Sequence, residues 1–166
     1  MPESSSRGTR TRSATEPCAA GHAAARLARQ LDHALAEVDL SLPQYRLLVY
    51  LTLGESKPSD LAPRLGITRP SVTALVDGMV ARGLVDRQPD TDDRRRVRHR
   101  VTPAGREALA AADRGVDARL RYLASHLPPD DAACAFAGLA LWNQAVAAAA
   151  AASAEKANAT HSGATR

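Results

Sequence analysis

Residues 61–105 read LAPRLGITRPSVTALVDGMVARGLVDRQPDTDDRRRVRHRVTPAG, and the order of apolar, polar and turn-forming residues in this stretch decides the fold. Leu61, Ala62 and Leu65 share one face of a short helix that Gly66 closes. Thr68 then stands where an N-cap is needed. Val72, Leu75, Val76, Met79 and Val80 follow at i, i+3, i+4, i+7 and i+8, the apolar stripe of a second helix that Gly83 stops. Two short helices joined by a glycine-containing turn predict a helix-turn-helix.

What comes next narrows the fold. LVDRQ (84–88) reads as a strand, DTDDRR as a turn, and RVRHRVT (96–102) alternates strictly, with Val97, His99 and Val101 on one face and Arg96, Arg98 and Arg100 on the other. A two-stranded hairpin directly after the second helix, with arginines at its tip and along its outer face, is the arrangement of a winged helix. His99, on the inward face, reads as a packed neutral imidazole.

Working outward, Thr102 and Pro103 are the N-cap and first position of a long helix over 103–127, with Leu109, Ala112, Val116, Leu120 and Leu123 inward. PPDD breaks the chain before a last helix, about 130–152, that carries Ala132, Phe136, Leu139 and Val146 and then an alanine run. Upstream, Ser41 lies three residues before Gln44, a capping-box spacing, with Pro43 in the first turn and Leu40 and Tyr45 placed as a hydrophobic staple. That helix runs to about Leu53. Leu27, Leu31, Leu35 and Val38 predict another before it, over about 19–38.

The expected fold is therefore mainly α with a small two- to three-stranded β wing. Residues 1–18 are expected to be a disordered tail, 19–40 and 103–152 dimerisation helices, 41–102 the winged helix-turn-helix, and 153–166 a frayed C-terminus. The three amphipathic stripes at the two ends of the chain exceed what one short winged helix can bury, which gives the chain a motive to pair with itself.

Composition agrees. The chain has 166 residues, 45% hydrophobic but only 3% aromatic, so its core is built of Leu, Val and Ala and favours packed helices. Residues 57–102 hold ten basic and six acidic residues, while the remainder holds twelve of each, so the entire net charge of +4 lies in the central segment. That is the footprint of a nucleic-acid-binding surface. No apolar run is read as a membrane span, and the N-terminus lacks the apolar centre of a signal peptide. Cys18 and Cys134 form no CxxC motif, and a reduced, cytoplasmic protein is expected. His22, His33, His99, His126 and His161 share no metal-ligand spacing. With no paired nucleophile and base and no phosphate-cradling glycine loop, neither an enzyme nor a cofactor is expected.

The element order and the stretch 61–105 resemble the MarR family of bacterial transcription regulators. RGLVDR, Asp90, Asp93, Arg94, Arg95 and VTPAG carry the likeness in the wing, and it extends over about 20–150. The resemblance implies a homodimer whose terminal helices interlock above two winged helices, bound to a pseudo-palindromic site on double-stranded DNA. It implies that Asp93 orients an arginine of the hairpin and that Arg95 reaches into the minor groove, where a narrow A·T-rich tract favours a guanidinium. Thr68, Arg69, Ser71 and Thr73, at the N-terminal end of the second helix of the motif, then face base edges or phosphates, Thr68 capping the helix or touching DNA. Arg94, Arg96, Arg98 and Arg100 are then phosphate partners or solvated, and Arg87 holds Asp93 or meets a phosphate.

Many members are released from DNA by small anionic aromatic compounds, and His33, Tyr45, Arg46 and Tyr50 are the candidates for such a pocket, Tyr45 being equally a staple residue. The expected function is a repressor of this kind. Two alternatives carry their own features. Ala74 and Gly78, where many members have basic or polar side chains, point to a protein-interaction module with weak DNA binding. Cys18, near the start of the first helix, points to a thiol-based redox response, although EPCAAG lacks the surrounding apolar and tyrosine residues.

Overall fold

The computed structural model describes residues 17–54, 58–89 and 97–163. The chain runs α1 (Pro17–Ala36), α2 (Leu42–Thr52), α3 (Pro58–Leu65), α4 (Arg69–Ala81), β1 (Val85–Pro89), β2 (Val97–Val101), α5 (Pro103–Ala124) and α6 (Pro129–Gly163). It is the mainly helical winged fold expected, with a wing of two antiparallel strands in which Val85 faces Val101 and Arg87 faces His99.

Local chemistry starts three of these helices. Ser41 Oγ accepts from the Gln44 N–H while Gln44 Oε1 accepts from the Ser41 N–H at 2.9 Å, the reciprocal capping box. Thr68 Oγ1 accepts from the Ser71 N–H and Thr102 Oγ1 from the Gly105 N–H, with Pro70 and Pro103 in the first turns where no N–H is missed. Each cap contributes about 1 kcal/mol. Pro63 lies inside α3, which is only eight residues long. At the end of α4, Gly83 adopts φ +69°, so that its own N–H reaches Val80 O and that of Leu84 reaches Met79 O. A side chain there would strain the left-handed turn that aims the chain into β1.

One core lies beneath the helix-turn-helix. Leu47, Leu48 and Leu51 of α2, Leu61 and Leu65 of α3, and Val72, Val76 and Met79 of α4 meet Leu84 just before β1, Val85 of β1 and Ala112 of α5. Leu75 and Val80 sit half-buried at its margin, so the stripe of α4 falls as its spacing predicts. Gly105 lets the first turn of α5 press against the strand entrance, since a Cβ there would lie 2.0 Å from the Leu84 carbonyl oxygen.

The terminal helices differ from expectation in extent. α1 begins at Pro17 and α5 ends at Ala124, where Ser125 takes over as C-cap. α6 continues to Gly163 instead of fraying from Ser153. The reason is physical: alanine, glutamate and lysine are strong helix formers, and no proline or glycine interrupts the chain between Gly138 and Gly163. An 18-residue window within Pro129–Ser153 has a mean hydropathy of 1.4, long and apolar enough to cross a membrane by length and composition, which corrects the reading that no such run exists. Its hydropathy comes largely from alanines, each weakly apolar, which is why the run escapes notice in the sequence. The helix carries Asp130 and Asp131 in its first turn and contributes no residue to the buried core. The expected tail and wing tip fall largely at 1–16 and 90–96, outside the described residues.

Candidate nucleic-acid interface

The N-terminal end of α4 presents a polar, solvent-facing surface. Thr68, Arg69, Ser71 and Thr73 are all exposed, while Val72 and Val76 on the opposite side anchor the helix in the core. Thr68 does more than cap: its Oγ1 lies 2.8 Å from Ser71 Oγ, so the two hydroxyls are ordered together. Thr73 Oγ1 donates to Arg69 O at 3.2 Å. The Arg69 guanidinium makes no hydrogen bond or ion pair among the described residues and is free to swing to a base edge or a phosphate. Ala74 and Gly78 are exposed on the same helix and bring no polar group to it.

The wing stands beside this helix. Arg87 of β1 pairs with Asp77 of α4, an ion pair that locks strand to helix across the exposed surface. Asp77 lies at the helix face adjoining β1, whereas Asp93, the carboxylate expected for Arg87, lies outside the described residues. Arg100 Nη1 reaches Gln88 Oε1 at 3.3 Å across the hairpin. Arg98 is half-buried with its Nε enclosed, so its outer-face position does not leave it a freely solvated cation. His99 is buried, as its place in the alternation requires, whereas Val97 on the same face, opposite Pro89 at the turn end of the strands, is exposed. Asp93, Arg94, Arg95 and Arg96 lie outside the described residues.

A second set of contacts fixes this unit to the rest of the chain, and sequence reasoning missed it. Arg82, the C-cap of α4, donates through Nη2 to Asp39 O at 2.6 Å and Asp39 Oδ2 at 2.9 Å, and its Nη1 approaches Gln44 Oε1 at 3.4 Å. Asp39 holds φ +54° to make this turn. One guanidinium thus clasps the end of α4 to the α1–α2 turn and the α2 cap. Asp39 is exposed, so the ionic part is screened and the hydrogen bond to the carbonyl matters most. Arg82→Ala is expected to lower stability by about 1 kcal/mol, read as a drop in the urea midpoint without change in slope.

Two of the four expected pocket residues take separate partners. Tyr45 donates its hydroxyl to Asp113 Oδ1 at 2.7 Å, joining α2 to α5; burial first, then the Asp113 carboxylate, raises its pKa and keeps it a neutral donor. Arg46 donates to Arg64 O at 2.8 Å on α3. Tyr50 is half-buried against the core, and His33 opens into a groove between α1 and α5. Cys134 is exposed on α6. Among the described residues no cluster of His, Cys, Asp and Glu has the makings of a metal site.

Comparison with known proteins places this geometry. The sequence profile of the MarR family matches residues 38–96. An uncharacterised HTH-type transcriptional regulator of Mycobacterium leprae is 36% identical over 103 residues, 61% of this chain and 70% of that protein. The HTH-type transcriptional repressor YetL of Bacillus subtilis is 29% identical over 82 residues, a match that spans about half of its length. Among solved structures, the transcriptional repressor CouR bound to a 23-mer DNA duplex is 30% identical, with a TM-score of 0.63 over 75% of this chain and 89% of that one.

Proposed function

This chain belongs to the MarR family of winged helix-turn-helix transcription regulators, and from that premise we propose that it works as a homodimeric repressor of DNA sites with two-fold symmetry. The observation that carries the reading is the exposed start of α4. Thr68, Arg69, Ser71 and Thr73 face solvent at the helix end that enters a major groove, and the arginine-rich hairpin stands beside them, tied on by Asp77 and Arg87. Arg69 is the base or outer phosphate reader, and Thr68 and Ser71 act as one ordered hydroxyl pair. The family resemblance gives Asp93, Arg94, Arg95 and Arg96, outside the described residues, the flanking minor groove and phosphates as partners. With Ala74 and Gly78 giving α4 no further anchor, Arg69 and the wing bear most of the affinity.

Pairing is supported by the surface that the fold leaves uncovered. On α6, Phe136 is 37%, Leu139 38%, Val146 62% and Trp142 71% exposed, and Tyr122 and Leu127 are also open. Leu27, Leu120 and Leu123 line an apolar groove beside Phe136 and Leu139. Contiguous apolar area of this kind on a regulator needing two-fold symmetry is a partner surface. Such a protein acts in the cytoplasm, and a small aromatic or anionic ligand releases it from DNA.

The test is a gel shift with the DNA upstream of its own gene. The expected footprint is a pseudo-palindrome with half-sites about one helical turn apart. Arg69→Ala is expected to weaken binding by about 1–3 kcal/mol, roughly tenfold or more, and most on the wild-type sequence. A uniform loss on all sequences reassigns Arg69 to the phosphates, and absence of any specific shift rejects the reading.

A further inference from the structure

Residues 39–45, the turn from α1 into α2, gather contacts from three elements. α1 ends on a left-handed residue: Asp39 sits at φ +54°, with its N–H on Ala36 O at 3.1 Å and the Leu40 N–H on Leu35 O at 3.0 Å. The Asp39 carbonyl then accepts from Arg82 Nη2 at 2.6 Å. Gln44 Oε1 accepts from the Ser41 N–H at 2.9 Å and from Arg82 Nη1 at 3.4 Å, so the cap of α2 and the end of α4 share one oxygen. The next residue, Tyr45, donates to Asp113 Oδ1 on α5 at 2.7 Å.

These contacts are modest for stability. Asp39 and Asp113 are exposed, and the packing of Leu35, Leu40, Leu47 and Leu48 already anchors the turn in the core. What they control is direction. Arg82 stands between α4 and the Gly83 turn into β1, so it grips α4 and the wing at their junction. α5 is seated on the strand entrance at Gly105, and Asp113 lies eight residues farther on, about 12 Å along the helix. A single seat fixes position and leaves the angle free, and the tie from Tyr45 fixes the angle. Slack of about 1 Å at Asp113 turns the winged unit by about 5° against α5. Over the 13 residues of α4, roughly 20 Å, that rotation displaces Arg69 by about 2 Å, more than a hydrogen bond to a base edge tolerates.

We propose that Arg82 and Tyr45 are positioning residues for DNA recognition. Without touching DNA, they fix the angle of α4 and the wing against α1 and α5, and with it the separation of the two α4 helices in the dimer. The proposal rests on the dimeric DNA-binding reading above and adds to it the residues that set half-site spacing.

The test is fluorescence anisotropy with the full chain, comparing wild type, Tyr45→Phe and Arg82→Gln on three duplexes. These are the operator, the operator with one base pair inserted between its half-sites, and one half-site beside scrambled sequence. Wild type is expected to lose about 100-fold on insertion, since the added pair turns one half-site by about 35° and shifts it by about 3.4 Å. Each variant should bind the operator at least about fivefold more weakly, lose less than about tenfold on insertion, and hold the single half-site as wild type does. Helical circular dichroism confirms the fold, and Tyr45→Phe, which removes one oxygen and no charge, carries the test if Arg82→Gln folds poorly. A purely stabilising role predicts an even loss on all three duplexes, and that result overturns the proposal. So does a wild-type insertion penalty in either folded variant. If wild type itself binds no operator specifically, the DNA-binding reading fails and this proposal falls with it.

Discussion

Gly105→Ala is expected to be the most damaging single-methyl change in the helix-turn-helix unit. Alanine gains about 1 kcal/mol over glycine within a helix, so propensity alone predicts stabilisation. Against this, the new Cβ meets the Leu84 carbonyl oxygen at 2.0 Å and Val101 Cγ1 at 2.8 Å. The first contact is backbone and cannot rotate away. The same carbonyl accepts from the Thr102 N–H at 3.1 Å, so moving it also disturbs the cap of α5. Sterics therefore win, with a net loss of about 3 kcal/mol or more and a melting temperature roughly 10 °C lower. Gly78→Ala is the matched control. Nothing lies within 4 Å of its Cβ, and its φ is ordinary, so a gain of up to about 1 kcal/mol is expected. Equal behaviour of the two variants in thermal melts contradicts this account of how α5 is seated.

The second large effect concerns assembly. Phe136→Glu combined with Leu139→Glu is expected to convert the proposed dimer to a monomer by analytical ultracentrifugation. Neither residue belongs to the buried core, so the winged helix itself should keep its fold. Two charges placed in an apolar interface without partners cost several kcal/mol. The monomer then engages one half-site at a time, and affinity for a complete operator drops about 100-fold or more, because the second contact loses its effective concentration. A monomer that binds the whole operator as well as wild type removes the link between α6 and DNA recognition.

These effects also show what the sequence disclosed. The capping box of Ser41 and Gln44, the caps Thr68 and Thr102, and the stripe Val72, Val76 and Met79 were legible because each is settled within a few neighbouring residues. The alternation that buries His99 was legible for the same reason. The clasp of Arg82 on Asp39 and the bond of Tyr45 to Asp113 join residues 43 and 68 positions apart, and no local pattern announces them. Arg87 illustrates the limit at shorter range. Two carboxylates, Asp77 and Asp93, were within reach along the chain, and only the packing of α4 on β1 brings Asp77 to it. Likewise no local pattern announces that Tyr45 bonds to α5, Arg46 to α3 and that His33 lines the groove between α1 and α5. The far end of α6 was misjudged since an alanine run gives helix propensity without a stop signal.

The most direct test of the central claim is the salt dependence of binding to the upstream DNA, measured by fluorescence anisotropy beside a scrambled duplex of equal length. Contacts from two winged helices to six or more phosphates predict a logarithmic slope on the order of −5 or steeper, with the specific duplex bound at least about a thousandfold more tightly than the scrambled one. A shallow slope with no preference between the two duplexes contradicts the account, and leaves the exposed end of α4 as a surface for protein partners.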